Sequence, residues 1–160
     1  VYALTTDEFA RVEKWLYSIP RIEIAVETLT LEIERLNTKA VTPPTWMSTP
    51  NGGMPTGGTS CSRQENWVEF LDEYPVRKNE LLDKIEDRQK QLKCYEKVMN
   101  ILRAEDSRYT QLVWNKYIKK VTPDRIIWEE HLFISKSSFY RMRSYIVESF
   151  LECLPGQFGK

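Results

Sequence analysis

Between Ser135 and Ser144 the chain carries Lys136, Ser137, Tyr140, Arg141 and Arg143 in one short stretch. These side chains suit recognition rather than bond-making. A guanidinium can grip guanine O6 and N7 with two parallel bonds, hydroxyls reach base edges or phosphate oxygens, and flanking cations neutralise phosphate. Elsewhere there is no Ser/His/Asp set, no glycine pattern for cradling phosphates and no cluster of metal ligands. His131, the one histidine, reads as a surface or turn-packing residue. Cys61, Cys94 and Cys153 are odd in number and far apart, which predicts reduced thiols rather than disulfides or a zinc site. No enzyme activity, cofactor or metal is expected.

At about 100° per residue of helix, Phe139, Met142 and Ile146 share one face. Ser137, Tyr140, Arg141 and Ser144 share the opposite arc, with Lys136 and Arg143 on its flanks. Ser135 is placed to cap this helix, which is predicted to continue to about Leu154. Before it, Thr122 and Pro123 form an N-cap and first-turn pair that predicts a helix from Pro123 to about Leu132. An earlier helix starts at Asp106 or Ser107, with Tyr109, Val113 and Tyr117 on one stripe. The last two helices are separated only by Phe133–Ser135, and so short a turn forces a steep crossing, the helix-turn-helix arrangement. Trp128, Leu132, Ile134, Phe139, Met142 and Ile146 are its expected core.

Two residues depart from what such a turn prefers. Phe133 stands where glycine is common because of its tolerance of positive φ, so the turn is expected either to take another geometry or to bury the ring. Glu129 stands where a small alanine is common, which predicts a wider crossing. The candidate DNA contacts are Ser135, Lys136, Ser137, Tyr140, Arg141, Arg143 and Ser144, with Lys119, Lys120 and Arg125 as weaker backbone contacts. The competing reading of this face is a merely solvated basic surface.

The upstream sequence has to carry this unit. Residues 1–37 form an N-terminal helical segment, with apolar residues at helical spacing from Phe9 to Leu36 and a kink or new start expected at Pro20. Residues 38–63 are crowded with Pro, Gly, Ser and Thr and are predicted to be a flexible linker. Residues 64–104 hold a heptad seam from Trp67 through Leu71, Tyr74, Leu81, Ile85, Leu92, Tyr95 and Met99 to Leu102, interrupted by Lys78 and Arg88. Pro75 threatens continuity near its start. This seam pairs either with the 22–36 run of the same chain, as an antiparallel hairpin, or with a second chain as a homo-oligomer.

Net charge is zero, but residues 1–105 hold 14 Lys and Arg against 17 Asp and Glu, and residues 106–160 hold 9 against 6. A modestly basic C-terminal third suits nucleic acid. No apolar run approaches the ~20 residues needed to cross a bilayer, and the start of the chain lacks the layout of a secretory leader. The expected fold class is all-α: a long helical hairpin or coiled-coil segment followed, over 105–160, by a three-helix helix-turn-helix domain.

This order of parts, and the stretch from Leu112 to Leu151, resembles the RinA/ArpU-type phage transcriptional regulators, whose C-terminal unit is similar to region 4 of a sigma factor. Tyr117, Ile118, Ile127, Leu132, Ser135, Phe139, Tyr140 and Arg141 follow the family pattern. The resemblance implies a promoter-binding activator of late phage genes, cytoplasmic in the bacterial host, with double-stranded DNA and host RNA polymerase as partners and no membrane. It implies DNA-facing roles for Ser135, Lys136, Ser137, Tyr140 and Arg141. The alternatives are a small DNA-packaging (terminase) subunit, and an adaptor that binds RNA polymerase through the coiled segment without touching DNA.

Overall fold

The computed structural model describes residues 4–42 and 59–153, with side chains from 65 onward in the second stretch. The described residues form five α-helices and no strand. Helix α1 (Thr6–Val41) opens on a capping box: Glu8 N–H donates to Thr5 Oγ1, and Thr5 N–H donates back to the Glu8 carboxylate. It then runs on through Pro20, where a kink or a new start was expected, without a new start. Leu16, Ile19 and Ile22, all buried, flank the proline, and their burial outweighs the missing backbone bond. Helix α2 (Thr59–Glu105) likewise passes through Pro75. Of the predicted linker, residues 38–41 and 59–63 are therefore helical, and 43–58 lie outside the described residues.

The chain forms two compact units, Ala25–Arg88 and Val1–Ile24 with Gln89–Lys160. In the Ala25–Arg88 unit, Ile33 and Leu36 of α1 bury against Leu81 and Ile85 of α2, with Val26, Leu29, Phe70 and Tyr74 packed around them. Arg77 pairs with Glu32 at 3.1 Å, Tyr74 donates to Asn37, and Lys39 lies over the Phe70 ring at 4.2 Å. Partner numbers fall along α2 as they rise along α1, so the two stretches are antiparallel. The Tyr74–Ile85 part of the heptad seam thus packs against the 22–36 run of the same chain, while Leu71 of the seam is exposed.

The other unit differs from the separate C-terminal domain that the sequence boundaries suggested. Helices α3 (Ser107–Val113) and α5 (Lys136–Cys153), with Ile127 just after the short helix α4 (Asp124–Ile126), share one core with the beginning of α1 and the end of α2. Val12, Leu16, Val98, Met99 and Leu102 bury together with Leu112, Tyr117, Ile127, Phe139, Ile146, Val147 and Phe150. Among the described residues, no helix is long and apolar enough to cross a membrane.

Candidate nucleic-acid interface

Two helix ends set the geometry of the site. Asp106 caps α3 by accepting from Arg108 N–H at 2.9 Å. The Arg108 guanidinium also hydrogen-bonds the Asp106 carboxylate and holds it below its usual range. Helix α3 runs on through a π turn, Trp114–Ile118, which turns Asn115, Lys116 and Tyr117 inward in succession. Lys116, 7% exposed, reaches across to Asp124 at the start of α4, with Nζ to oxygen distances of 2.8 and 3.1 Å. Pro123, rather than Thr122, occupies the cap position of α4. Helix α4 also runs into a π turn, Ile127–His131.

Both π turns end in the same way. Lys119 N–H bonds to Trp114 O and Val121 N–H to Asn115 O, with Lys120 between them at φ 55°. Thirteen residues later Leu132 N–H bonds to Ile127 O and Ile134 N–H to Trp128 O, with Phe133 between them at φ 53°. These are left-handed helix caps, one residue wider than the usual form, and the position ordinarily belongs to glycine. A side chain there costs roughly 1–2 kcal/mol. Neither resolution expected for Phe133 occurs: it takes the left-handed conformation, and the residue is 81% exposed, the highest value among the described large apolar residues.

Ser135 caps α5 as expected. Its Oγ accepts from Ser138 N–H at 3.2 Å, and Phe139 N–H bonds to its carbonyl at 3.0 Å. The Ser135 hydroxyl also lies within hydrogen-bond distance of the Ser137 and Ser138 hydroxyls, so its first duty is to hold the helix start. The inward face carries Phe139 and Ile146 in full burial, with Met142 and Ile134 half-buried beside them. The outward face presents Lys136, Ser137, Tyr140, Arg141 and Ser144, all exposed. Tyr140 is held in place by its ring contacts with Trp128 at 6.1 Å and Phe139 at 5.5 Å, which point a phenol outward on a braced stem. No acidic residue lies in the first turn of α5, so the partial positive charge of its N-terminus is unopposed there.

Arg143 leaves the predicted set. Its Nε and Nη2 donate to the two Glu13 oxygens at 2.7 and 2.8 Å, and Tyr117 OH donates to the same carboxylate at 2.8 Å. The guanidinium also lies 4.9 Å from the Phe9 ring. With its side chain 23% exposed and Glu13 15% exposed, this is a largely buried clamp between α5 and α1. Hydrogen bonding to Glu13 holds the Arg143 pKa above its ordinary value, and burial, followed by Glu13, does the same for the Tyr117 phenol. The physical reason for the correction is register: Arg143 lies one residue from inward Met142, close enough to the buried side for Glu13 to draw it in.

The weaker candidates divide. Lys119 and Lys120 are exposed and have no acidic partner among the described residues, whereas Arg125 pairs with Glu129 at 3.0 Å. Glu129 is itself exposed, and it is Trp128 that packs against Phe139, at 5.2 Å. His131 is exposed, as read from the sequence. Sequence reasoning missed Glu13, Lys116 and Asp124. Glu13 acts on residues 104 and 130 positions away, and no local spacing encodes such a contact. Cys94 is half-buried and Cys153 exposed, both free thiols, and the side chain of Cys61 lies outside the described residues. Among the described residues, no cluster of three or more His, Cys, Asp or Glu could hold a metal ion.

Comparison with known proteins finds no matching protein-family model, no matching curated protein and no matching solved structure.

Proposed function

We propose that this chain is a sequence-specific, DNA-binding transcriptional regulator without enzymatic activity, and that the outward face of α5 enters the major groove. One observation supports this reading above the others. Of the four arginines in the C-terminal helices, Arg108, Arg125 and Arg143 each have a carboxylate partner, and Arg141 has none among the described residues. Arg141 is exposed beside braced Tyr140, with Lys136 exposed and equally unpaired five residues earlier. A guanidinium kept open for two parallel acceptors suits guanine, and the unpaired cations at Lys119, Lys120 and Lys136 suit phosphate.

The resemblance of residues 112–151 to the RinA/ArpU-type regulators supplies the rest of the reading: activation of late phage genes inside the bacterial host, alongside its RNA polymerase. The test is selection of duplexes from a random-sequence pool, followed by binding to the selected site. Arg141→Ala is expected to cost about 1–3 kcal/mol at that site and to relax the preference at one base pair. Lys136→Ala is expected to weaken selected and unselected duplexes alike. A pool that yields no preferred sequence would overturn the proposal of specific reading.

A further inference from the structure

The turn before α5 holds a feature that the fold does not use. Phe133 occupies a left-handed cap that glycine fills without strain, and it is the most exposed of the described large apolar residues. Its aromatic neighbours in the chain pack on one another: Trp128 on Phe139, Trp128 on Tyr140, and Phe139 on Tyr140. Phe133 takes no part in these contacts and lies outside the core cluster, to which Leu132 and Ile134 on either side belong or pack. Strain held at a residue whose side chain does nothing for the folded state points to a use outside it.

What the ring meets follows from its place. It precedes by two residues the Ser135 cap and by three the exposed, unpaired Lys136 at the N-terminus of α5. That is the end of the helix which the proposed reading inserts into the major groove. A single ring beside cations is a poor protein-docking patch, which would need a cluster of apolar neighbours with a fully buried centre. In the major groove the apolar feature displayed by a base pair is the thymine C5-methyl, and phenylalanine is among the side chains that contact it.

Resting on the DNA-binding reading above, we infer that Phe133 is a specificity-determining residue whose exposed ring packs on a thymine methyl at the edge of the recognised site. The left-handed cap projects the ring from the turn, and the backbone strain is the cost of having a side chain there at all.

The experiment uses the full chain and its selected duplex. Phe133→Gly relieves the strain and removes the ring, so its thermal midpoint should rise while its affinity falls about tenfold, with the salt dependence unchanged because no phosphate contact is lost. Replacing each thymine in turn by deoxyuridine deletes one methyl at a time. One position should weaken wild-type binding about fourfold and leave Phe133→Gly unaffected. Equal affinities of wild type and Phe133→Gly, or a deoxyuridine profile the substitution does not alter, would overturn the inference and leave the DNA-binding reading standing. That result would be expected if the ring instead met a protein. Failure of the wild type to bind any duplex would overturn both.

Discussion

At the scale of single residues, the contact that most shapes the site is one its sequence neighbours do not announce. Glu13 holds Arg143 through two hydrogen bonds and Tyr117 through a third. Deleting one partner of a largely buried pair leaves the other charge uncompensated, so Glu13→Ala should cost about 2–4 kcal/mol in denaturant unfolding. Arg143→Ala should also destabilise the fold, yet leave the salt slope of DNA binding as in wild type. A reduced slope would return Arg143 to the phosphate contacts. The tyrosines give a pH prediction. Burial raises the phenol of Tyr117 above its ordinary value and pushes that of Tyr95 up to about 12 from 10.0. Groups raised in the folded state add stability that is complete below their unfolded value and is lost as pH rises through the folded one. The thermal midpoint should therefore be flat just below pH 10 and fall between 10 and about 12, by more than in Tyr117→Phe. A midpoint unchanged across that window would contradict the burial of these rings. At this scale the sequence was legible where periodicity speaks: Phe139 and Ile146 face inward, Tyr140 and Arg141 outward. It was silent on Glu13, because a contact across 130 positions leaves no trace in local spacing.

At the scale of helices, α1 and α2 continue through Pro20 and Pro75 because a long apolar stripe tolerates one missing backbone bond. Pro75 is exposed, so its ring contributes little packing. Pro75→Ala should restore the bond and raise stability by about 2–3 kcal/mol in denaturant unfolding, and an unchanged midpoint would mean that α2 is not continuous there. The two left-handed caps are the other element-scale departure. Lys120→Gly should stabilise by about 1 kcal/mol, as strain is removed at an exposed site. Helix starts were readable from Asp106 and Ser135, because a side-chain oxygen satisfying orphan N–H groups is a local signal. The π turns were not readable: inserting one extra residue per turn depends on what must be buried, here Lys116 and Tyr117, and that is decided by packing.

At the scale of the whole molecule, the all-α class followed from helical spacing, the antiparallel pairing of the two apolar runs was one of two pairings that spacing left open, and the unit boundaries were not legible. Helices α1 and α2 each supply residues to both compact units, so the sequence divisions near 37 and 63 fall inside the Ala25–Arg88 unit and the one near 104 inside the other, all within helices. Burial of Val12, Leu16 and Leu102 beneath the C-terminal helices is the reason. The central claim is that the outward face of α5 binds duplex DNA, and the most direct test is titration of the full chain onto duplex across a range of salt. Wild type should bind at low salt and lose affinity steeply as salt rises, with a slope of about 0.9 per phosphate contact. Lys136→Ala should flatten that slope by roughly one contact. Absence of binding at low salt, or an affinity indifferent to salt, would contradict the account.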